Sequence, residues 1–234
     1  MKKDNLPVYN AVVDVMDEKS GTNKISFVKN PANKSVSLLF KDQVKKAAVK
    51  LSNEGDKRLA TALVMSPDIP IYRSDENLGE FYVNYPAKTI ELMRDKYMFM
   101  KKTDLFDVEH SKDVEGVYMV ETGIVDSTRG MAAPDGLMDA EGKALADGSW
   151  WATFRVLNDE VWNGLKSGEL TGVSLDGVFD LYETEISSDN ADVEKKKEEK
   201  MKNEEKKKIS LSIFDTDKSK FERLTAIRQL ENIK

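Results

Sequence analysis

Ser174 lies in a setting that could support covalent chemistry. The run Gly172–Phe179 alternates apolar and polar residues with the period of a β-strand. That period puts Ser174 and Asp176 on one face of the strand and Val173 and Leu175 on the other. A serine in a strand is usually only a small polar side chain, so the run alone predicts no activity. It also differs from the Gly-x-Ser-x-Gly nucleophile elbow, since Asp176 replaces the second glycine, which excludes an α/β-hydrolase.

His110 is the only histidine in the chain, so a Ser–His mechanism has a single possible base. Three acidic residues, Asp107, Glu109 and Asp113, lie near it in sequence, which suits a base without identifying one. The chain has no cysteine. A cysteine nucleophile and a Cys-based metal site are therefore excluded, and we expect neither a metal nor a cofactor.

The charge distribution argues against nucleic acid as the main ligand. The net charge of the chain is −6. Residues 194–234 contain thirteen Lys or Arg and nine Asp or Glu, so they carry +4 and residues 1–193 carry −10. An acidic body repels phosphate backbones. Since no run of eighteen apolar residues and no signal-peptide pattern occurs, we also expect no membrane span, no secretion and a cytoplasmic location.

Alternating and branched residues predict a mainly β fold that positions these side chains. The predicted strands are 8–16, 24–28, 59–65, 69–73, 81–84, 117–126, 150–157 and 170–182. Because the first two flank a turn-rich segment, we expect them to form a β-hairpin.

Helical spacing predicts three helices in the body of the chain, at Lys41–Asn53, from Pro86 to about Tyr97, and from the N-cap Asn158 to Gly168. The Gly-rich segment Ser127–Gly148 is predicted to be a long surface loop that could serve as a lid.

The C-terminal part has a different composition. We predict one domain over residues 1–190, a charged linker over 191–208 and an amphipathic helix over 209–234. In the last segment Phe221, Leu224, Ile227, Leu230 and Ile233 recur every three residues. Such a helix requires a partner for its apolar face.

Several motifs taken together resemble the XkdF-like phage prohead proteases. These motifs are Ile25–Asn33, Phe81–Phe99, Asp107–Ser111, Gly116–Asp126, Gly148–Trp162 and Gly168–Gly177. They occur in the order typical of that family and extend over roughly residues 8–185.

The resemblance implies a serine endopeptidase related to the herpesvirus assemblin fold. The expected fold class is α+β, mainly β, with a compact herpesvirus-protease-like barrel flanked by helices and a charged C-terminal helical tail. The resemblance makes Ser174 the nucleophile and His110 its base.

The group that orients His110 is open among three acids. Asp176 shares the face of Ser174, Glu121 could lie across a hairpin from His110, and Asp14 lies on the N-terminal strand. Asp176 is the first choice and Glu121 the second. Related proteases carry a Glu on a strand leading into a Pro-Ala-Asn turn, but this chain has Lys24 at that position.

The function expected from this resemblance is maturation of the phage prohead. The substrates would be scaffold protein, major capsid protein and the protease itself, within the assembling procapsid in the host cytoplasm, and the resemblance suggests a homodimer. The alternative is a non-catalytic scaffold or capsid-assembly protein that retains the protease fold. An esterase using the same Ser–His pair is a remote third hypothesis.

Overall fold

The computed structural model describes residues 6–31, 49–51, 57–139 and 141–183. All helices and strands in these ranges belong to one compact unit, Met1–Asp14 with Lys19–Thr184. The second unit combines Val15–Glu18 with Glu185–Lys234, and only Val15–Glu18 is described. The predicted linker at 191–208 and the helix at 209–234 lie outside the described residues.

The described elements are mainly strands. In chain order they are β1 (Val8–Val12), β2 (Gly21–Val28), β3 (Lys50–Leu51), β4 (Leu59–Met65), β5 (Ile71–Asp75), β6 (Gly79–Asn84), α1 (Ala87–Phe99), β7 (Phe106–Val108), β8 (Lys112–Val114), β9 (Val117–Ile124), β10 (Trp150–Val156), α2 (Asp159–Ser167), β11 (Gly172–Val178) and β12 (Asp180–Glu183). The mainly β character predicted from the sequence is confirmed. In these ranges no helix combines the length and the apolar character needed to cross a membrane.

The strands form three four-stranded sheets. Sheet I has the order β12-β1-β6-β5, sheet II the order β3-β4-β10-β9, and sheet III the order β11-β2-β7-β8. The predicted closed barrel is therefore wrong for the described residues. A barrel requires each strand to be hydrogen bonded on both sides, whereas the outermost strands of each sheet have one strand neighbour in the described part.

Three phenylalanines hold sheet III against sheet II. Phe27 on β2, Phe106 on β7 and Phe154 on β10 are almost completely buried. The Phe27 and Phe106 rings each meet Phe154 edge-on, with centroids 5.5 and 5.2 Å away. Burying each ring stabilises the fold by about 1.5–3 kcal/mol. This cluster packs on the core-facing side of β2 and β7. The candidate site lies on the opposite side of these two strands.

Both described helices follow their sequence signals. α1 starts after Pro86 and buries Ile90, Met93 and Tyr97, which lie on one face at helical spacing. α2 starts at Asn158, whose side chain accepts a hydrogen bond from the Val161 amide at 3.1 Å. These two predicted helices are confirmed.

The segment after β9 is a loop with its own small core. Val125, Leu137 and Leu145 are buried together. Asp126 caps a 3-10 turn, and the Ser127 amide donates to Asp147 at 3.0 Å near the far end of the loop. The long loop is thus confirmed, and its role as a lid stays a prediction.

The predicted N-terminal hairpin is wrong. β1 pairs with β12 and β6 in sheet I, whereas β2 pairs with β11 and β7 in sheet III. Since each strand finds both of its partners far away in sequence, the turn-rich segment between them connects two sheets. The predicted strand at 170–182 is likewise two strands, because β11 pairs with β2 and β12 pairs with β1.

The helix predicted at Lys41–Asn53 falls mostly outside the described residues. Its end is wrong, because Lys50 and Leu51 form strand β3 and pair with Thr61 and Ala60 on β4. Sheet pairing overrides the helical spacing at these two positions.

Candidate active site

Sheet III buries one face in the core and carries polar residues on the other. Ile25 and Phe27 of β2 and Val173 of β11 are buried in the core. Because side chains alternate along a strand, Ser26 and Ser174 point to the opposite face. The candidate site is built on this polar face.

Ser174 lies directly opposite Ser26. The two strands are antiparallel, and their register pairs Ser174 with Ser26 and Asp176 with Lys24. Directly opposite side chains share a face, with Cβ atoms about 4.5–5.5 Å apart. The side chains of Ser26 and Ser174 are therefore neighbours on one face of the sheet.

His110 binds the Ser26 hydroxyl. The distance between Ser26 Oγ and His110 Nδ1 is 2.9 Å. Ser26 is completely buried, while the His110 residue is exposed and Ser174 is half-buried. The imidazole thus lies over the end of the Ser26 side chain, on the same face as Ser174.

The turn between β7 and β8 carries His110 to this place. Glu109 and His110 both have positive φ, 56° and 54°, which is uncommon for residues with a side chain. The Ser111 amide donates to the Val108 carbonyl at 3.1 Å and closes the turn. Holding two such residues in this conformation costs about 1–2 kcal/mol each, a cost typical of functional sites.

Contacts to β2 and β7 stabilise the strained turn. The Glu109 amide donates to the Phe27 carbonyl at 3.1 Å, and the Glu109 carboxylate accepts from the Lys29 amide. The buried carboxylate of Asp107 accepts from the backbone amide of His110 at 3.1 Å. The turn is therefore attached to the strand that carries Ser26.

Charges surround the two serines. Lys24 forms an ion pair with Asp113, and its Nζ lies 3.8 Å from Asp107 Oδ2. The hydrogen bond that Lys24 donates to Asp113 raises the pKa of Lys24, and the charges of Asp113, Asp107 and Asp176 act in the same direction. Lys24 consequently stays charged at neutral pH and balances the acids of this face.

A small cavity is lined by Val173, Ser174 and Leu175 of β11. Its lining is largely apolar and includes Phe179 and Tyr85, with Arg73 as the charged member. Burial raises the pKa of Tyr85. The cavity has a volume of about 10 Å³, which is room for about one water molecule.

Two of the predicted site residues, Ser174 and His110, are brought to one face of sheet III. Asp176 is on this face too, but it is exposed and lies opposite Lys24. Glu121 lies in sheet II, where it is exposed and pairs with Thr153. Asp14 follows the end of β1, and its amide binds Ser20 Oγ.

Ser26 is the site residue that sequence reasoning missed. The signal was present, because Lys24, Ser26 and Val28 alternate with the core residues Ile25 and Phe27. Completely buried polar side chains require partners, so a buried serine in such a strand suggests a contact with another functional group.

Ser174, Ser26 and His110 thus lie on one face of sheet III, and a serine and a histidine are the residue types that a Ser–His hydrolase requires. The chain belongs to the family described as "Putative phage serine protease XkdF", whose sequence profile matches residues 44–183. The matched range contains His110 and Ser174, while Ser26 precedes it.

One curated relative is the phage-like element PBSX protein XkdF of Bacillus subtilis strain 168. The two chains are 31% identical over 134 residues, which is 57% of this chain and 42% of the relative. The match thus spans less than half of the relative's length. No solved structure matches.

Proposed function

We propose that this protein is a serine endopeptidase that matures the phage prohead. Its substrates would be the scaffold protein and the major capsid protein, and it would also cut itself, inside the procapsid in the host cytoplasm. Family membership supports the class of enzyme. The observation that carries the proposal is that Ser174 lies opposite the residue that binds the chain's only histidine.

The proposed reaction uses Ser174 as the nucleophile and His110 as the base. Ser26 engages Nδ1 of His110, which leaves Nε2 to act. As Ser174 Oγ bonds to the carbonyl carbon of the scissile peptide, its proton moves to Nε2. When the C–N bond breaks, that proton moves to the leaving amine, and water then hydrolyses the acyl-enzyme by the same route.

The surroundings of Ser174 suit a peptide substrate. Among the described strands β11 is an outermost strand of sheet III, so a segment of substrate could extend along its outer edge. A homodimer is compatible with this arrangement and is part of the proposal.

Intact mass spectrometry over time tests the proposal. Purified protein is incubated with the phage's scaffold protein and major capsid protein, and wild type is compared with Ser174→Ala and His110→Ala. We expect fragments from wild type and none from either variant. Ser74→Ala, which changes an exposed strand serine, should cut like wild type.

Labelling with a fluorophosphonate identifies the nucleophile independently. We expect the label on the peptide that contains Ser174, and circular dichroism should show that the variants remain folded. Cleavage by Ser174→Ala at the wild-type rate would contradict the assignment. Uncut substrates and no label in wild type would favour the non-catalytic assembly protein.

A further inference from the structure

We propose that Ser26 is the residue that orients the catalytic imidazole. The arrangement would be Ser174–His110–Ser26, with a hydroxyl in the position that a carboxylate usually occupies. This inference rests on the proposed function and adds a positioning residue to it. It also replaces Asp176 and Glu121 as the third member.

The position of Ser26 on the ring is the first argument. In Ser–His enzymes the orienting group binds Nδ1, and the nucleophile delivers its proton to Nε2. Ser26 Oγ lies 2.9 Å from Nδ1 of His110. When the hydroxyl oxygen accepts from Nδ1–H, the Nε2 lone pair is free to take the Ser174 proton.

Burial separates the roles of the two serines. Ser26 has no exposed surface, so a peptide carbonyl cannot reach its oxygen without displacing β2 or His110. Ser174 is half-buried and is therefore partly exposed to solvent. Because of this difference, we assign the attack on the substrate to Ser174 and the positioning of His110 to Ser26.

The acids either bind other groups or occupy other places in the fold. Asp107 accepts from the backbone amide of His110 and lies 3.8 Å from the Lys24 ammonium. Asp176 is the register partner of Lys24, and Glu121 lies in sheet II. Among the residues that the structure describes, Ser26 is the side chain that binds the imidazole.

The test compares Ser26→Thr with Ser26→Val. Both substitutions add the same branched bulk at a buried strand position, and only Thr keeps the hydroxyl. We expect kcat of Ser26→Thr to lie within a few-fold of the wild-type value. We expect kcat of Ser26→Val to be about 10- to 100-fold lower than that of Ser26→Thr. KM should differ by less than about twofold between the two variants, because neither group binds the substrate.

NMR supplies a readout that a merely structural role would not move. His110 is the only histidine, so protein labelled with ¹⁵N-histidine gives a single pair of ring signals. We expect the Nδ1–H tautomer in wild type and Ser26→Thr, and a shift towards the Nε2–H tautomer in Ser26→Val. Equal kcat and equal tautomers in the Thr and Val variants would overturn the inference.

Two further outcomes would also overturn it. The first is a fluorophosphonate label on Ser26, which would make Ser26 the nucleophile. The second is that Ser26→Val stays active while Asp176→Asn or Glu121→Gln loses as much kcat as we expect Ser26→Val to lose. Failure of the proposed function would instead appear in wild type, as the absence of both cleavage and label.

Discussion

Ser174 and Ser26 are register partners on antiparallel strands, and this relationship puts Ser174 beside the serine that binds His110. Because side chains alternate with period two, a slip of one residue would turn Ser174 into the core and Val173 or Leu175 outwards. The irregularity in this ladder falls between Asp176 and Gly177, beyond the two serines. The regular part of the ladder is therefore the part that positions the site.

Gly172 should be required for this register. A Cβ at Gly172 would lie 2.6 Å from Cγ of Pro31, which is inside any normal contact distance. We expect Gly172→Ala to displace β11, lower the free energy of unfolding by about 1–3 kcal/mol and slow cleavage. Urea denaturation and the cleavage assay measure the two effects.

Pro31→Ala provides the matched control. It removes the Cγ atom that the new methyl group would meet, although Cβ of residue 31, which would lie 3.1 Å from that methyl group, remains. The double variant should recover part of the stability lost in Gly172→Ala, as a double-mutant cycle would reveal. Additive losses would mean that Pro31 is not the cause.

Lys24 should stabilise the folded protein through its acidic neighbours. It forms an ion pair with exposed Asp113 and lies 3.8 Å from Asp107, whose side chain is only 6% exposed. Removing the cation leaves a nearly buried carboxylate less compensated. We expect Lys24→Gln to lower the free energy of unfolding by about 1 kcal/mol at neutral pH, measured by urea denaturation.

The exposed ion pair between Lys112 and Glu160 is the control for this prediction. Both side chains are more than half exposed, and such pairs contribute about 0–1 kcal/mol. Lys112→Gln should therefore change stability less than Lys24→Gln. A larger loss in Lys112→Gln would refute the role assigned to Asp107. Since the pKa of Lys24 is raised, its contribution should persist up to alkaline pH and disappear only as pH rises through that pKa.

Much of the site could be predicted from local sequence patterns. The alternation around Ser174 indicated its strand and face, and the resemblance supplied His110 as its partner. The role of Ser26 depends on the antiparallel pairing of β2 with β11 and the parallel pairing of β2 with β7. These pairings join residues far apart in the chain, and no local pattern encodes them.

The turn that carries His110 could not be predicted from the local sequence either. β7 and β8 have three residues each, which is too short for a reliable alternation signal. Glu109 and His110 occupy a conformation that usually favours Gly or Asn, so the sequence lacks the usual turn residues. Asp107 holds this turn locally, but the contacts with Phe27 and Lys29 are tertiary.

Asp126 should make the stability of the loop after β9 depend on pH. The hydrogen bond from the Thr128 hydroxyl, assisted by the amides of Arg129 and Thr128, lowers the pKa of Asp126 below its ordinary value of 3.8. A carboxyl whose pKa is lower in the folded state stabilises that state above its unfolded pKa. This contribution is lost as pH falls through the folded pKa. Asp126→Asn should therefore have a lower urea midpoint than wild type at pH 7, and the difference should shrink as the pH falls below 3.8.

Thr128→Val separates the hydroxyl from the rest of the turn. It removes the largest cause of the lowered pKa and leaves the Asp126 carboxylate and both amides in place. In the Thr128→Val background, the effect of Asp126→Asn on the urea midpoint should therefore change less with pH than it does in wild type. A difference that stays the same from pH 7 to about pH 3 would contradict the prediction, because only a group that titrates can lose its contribution over that range.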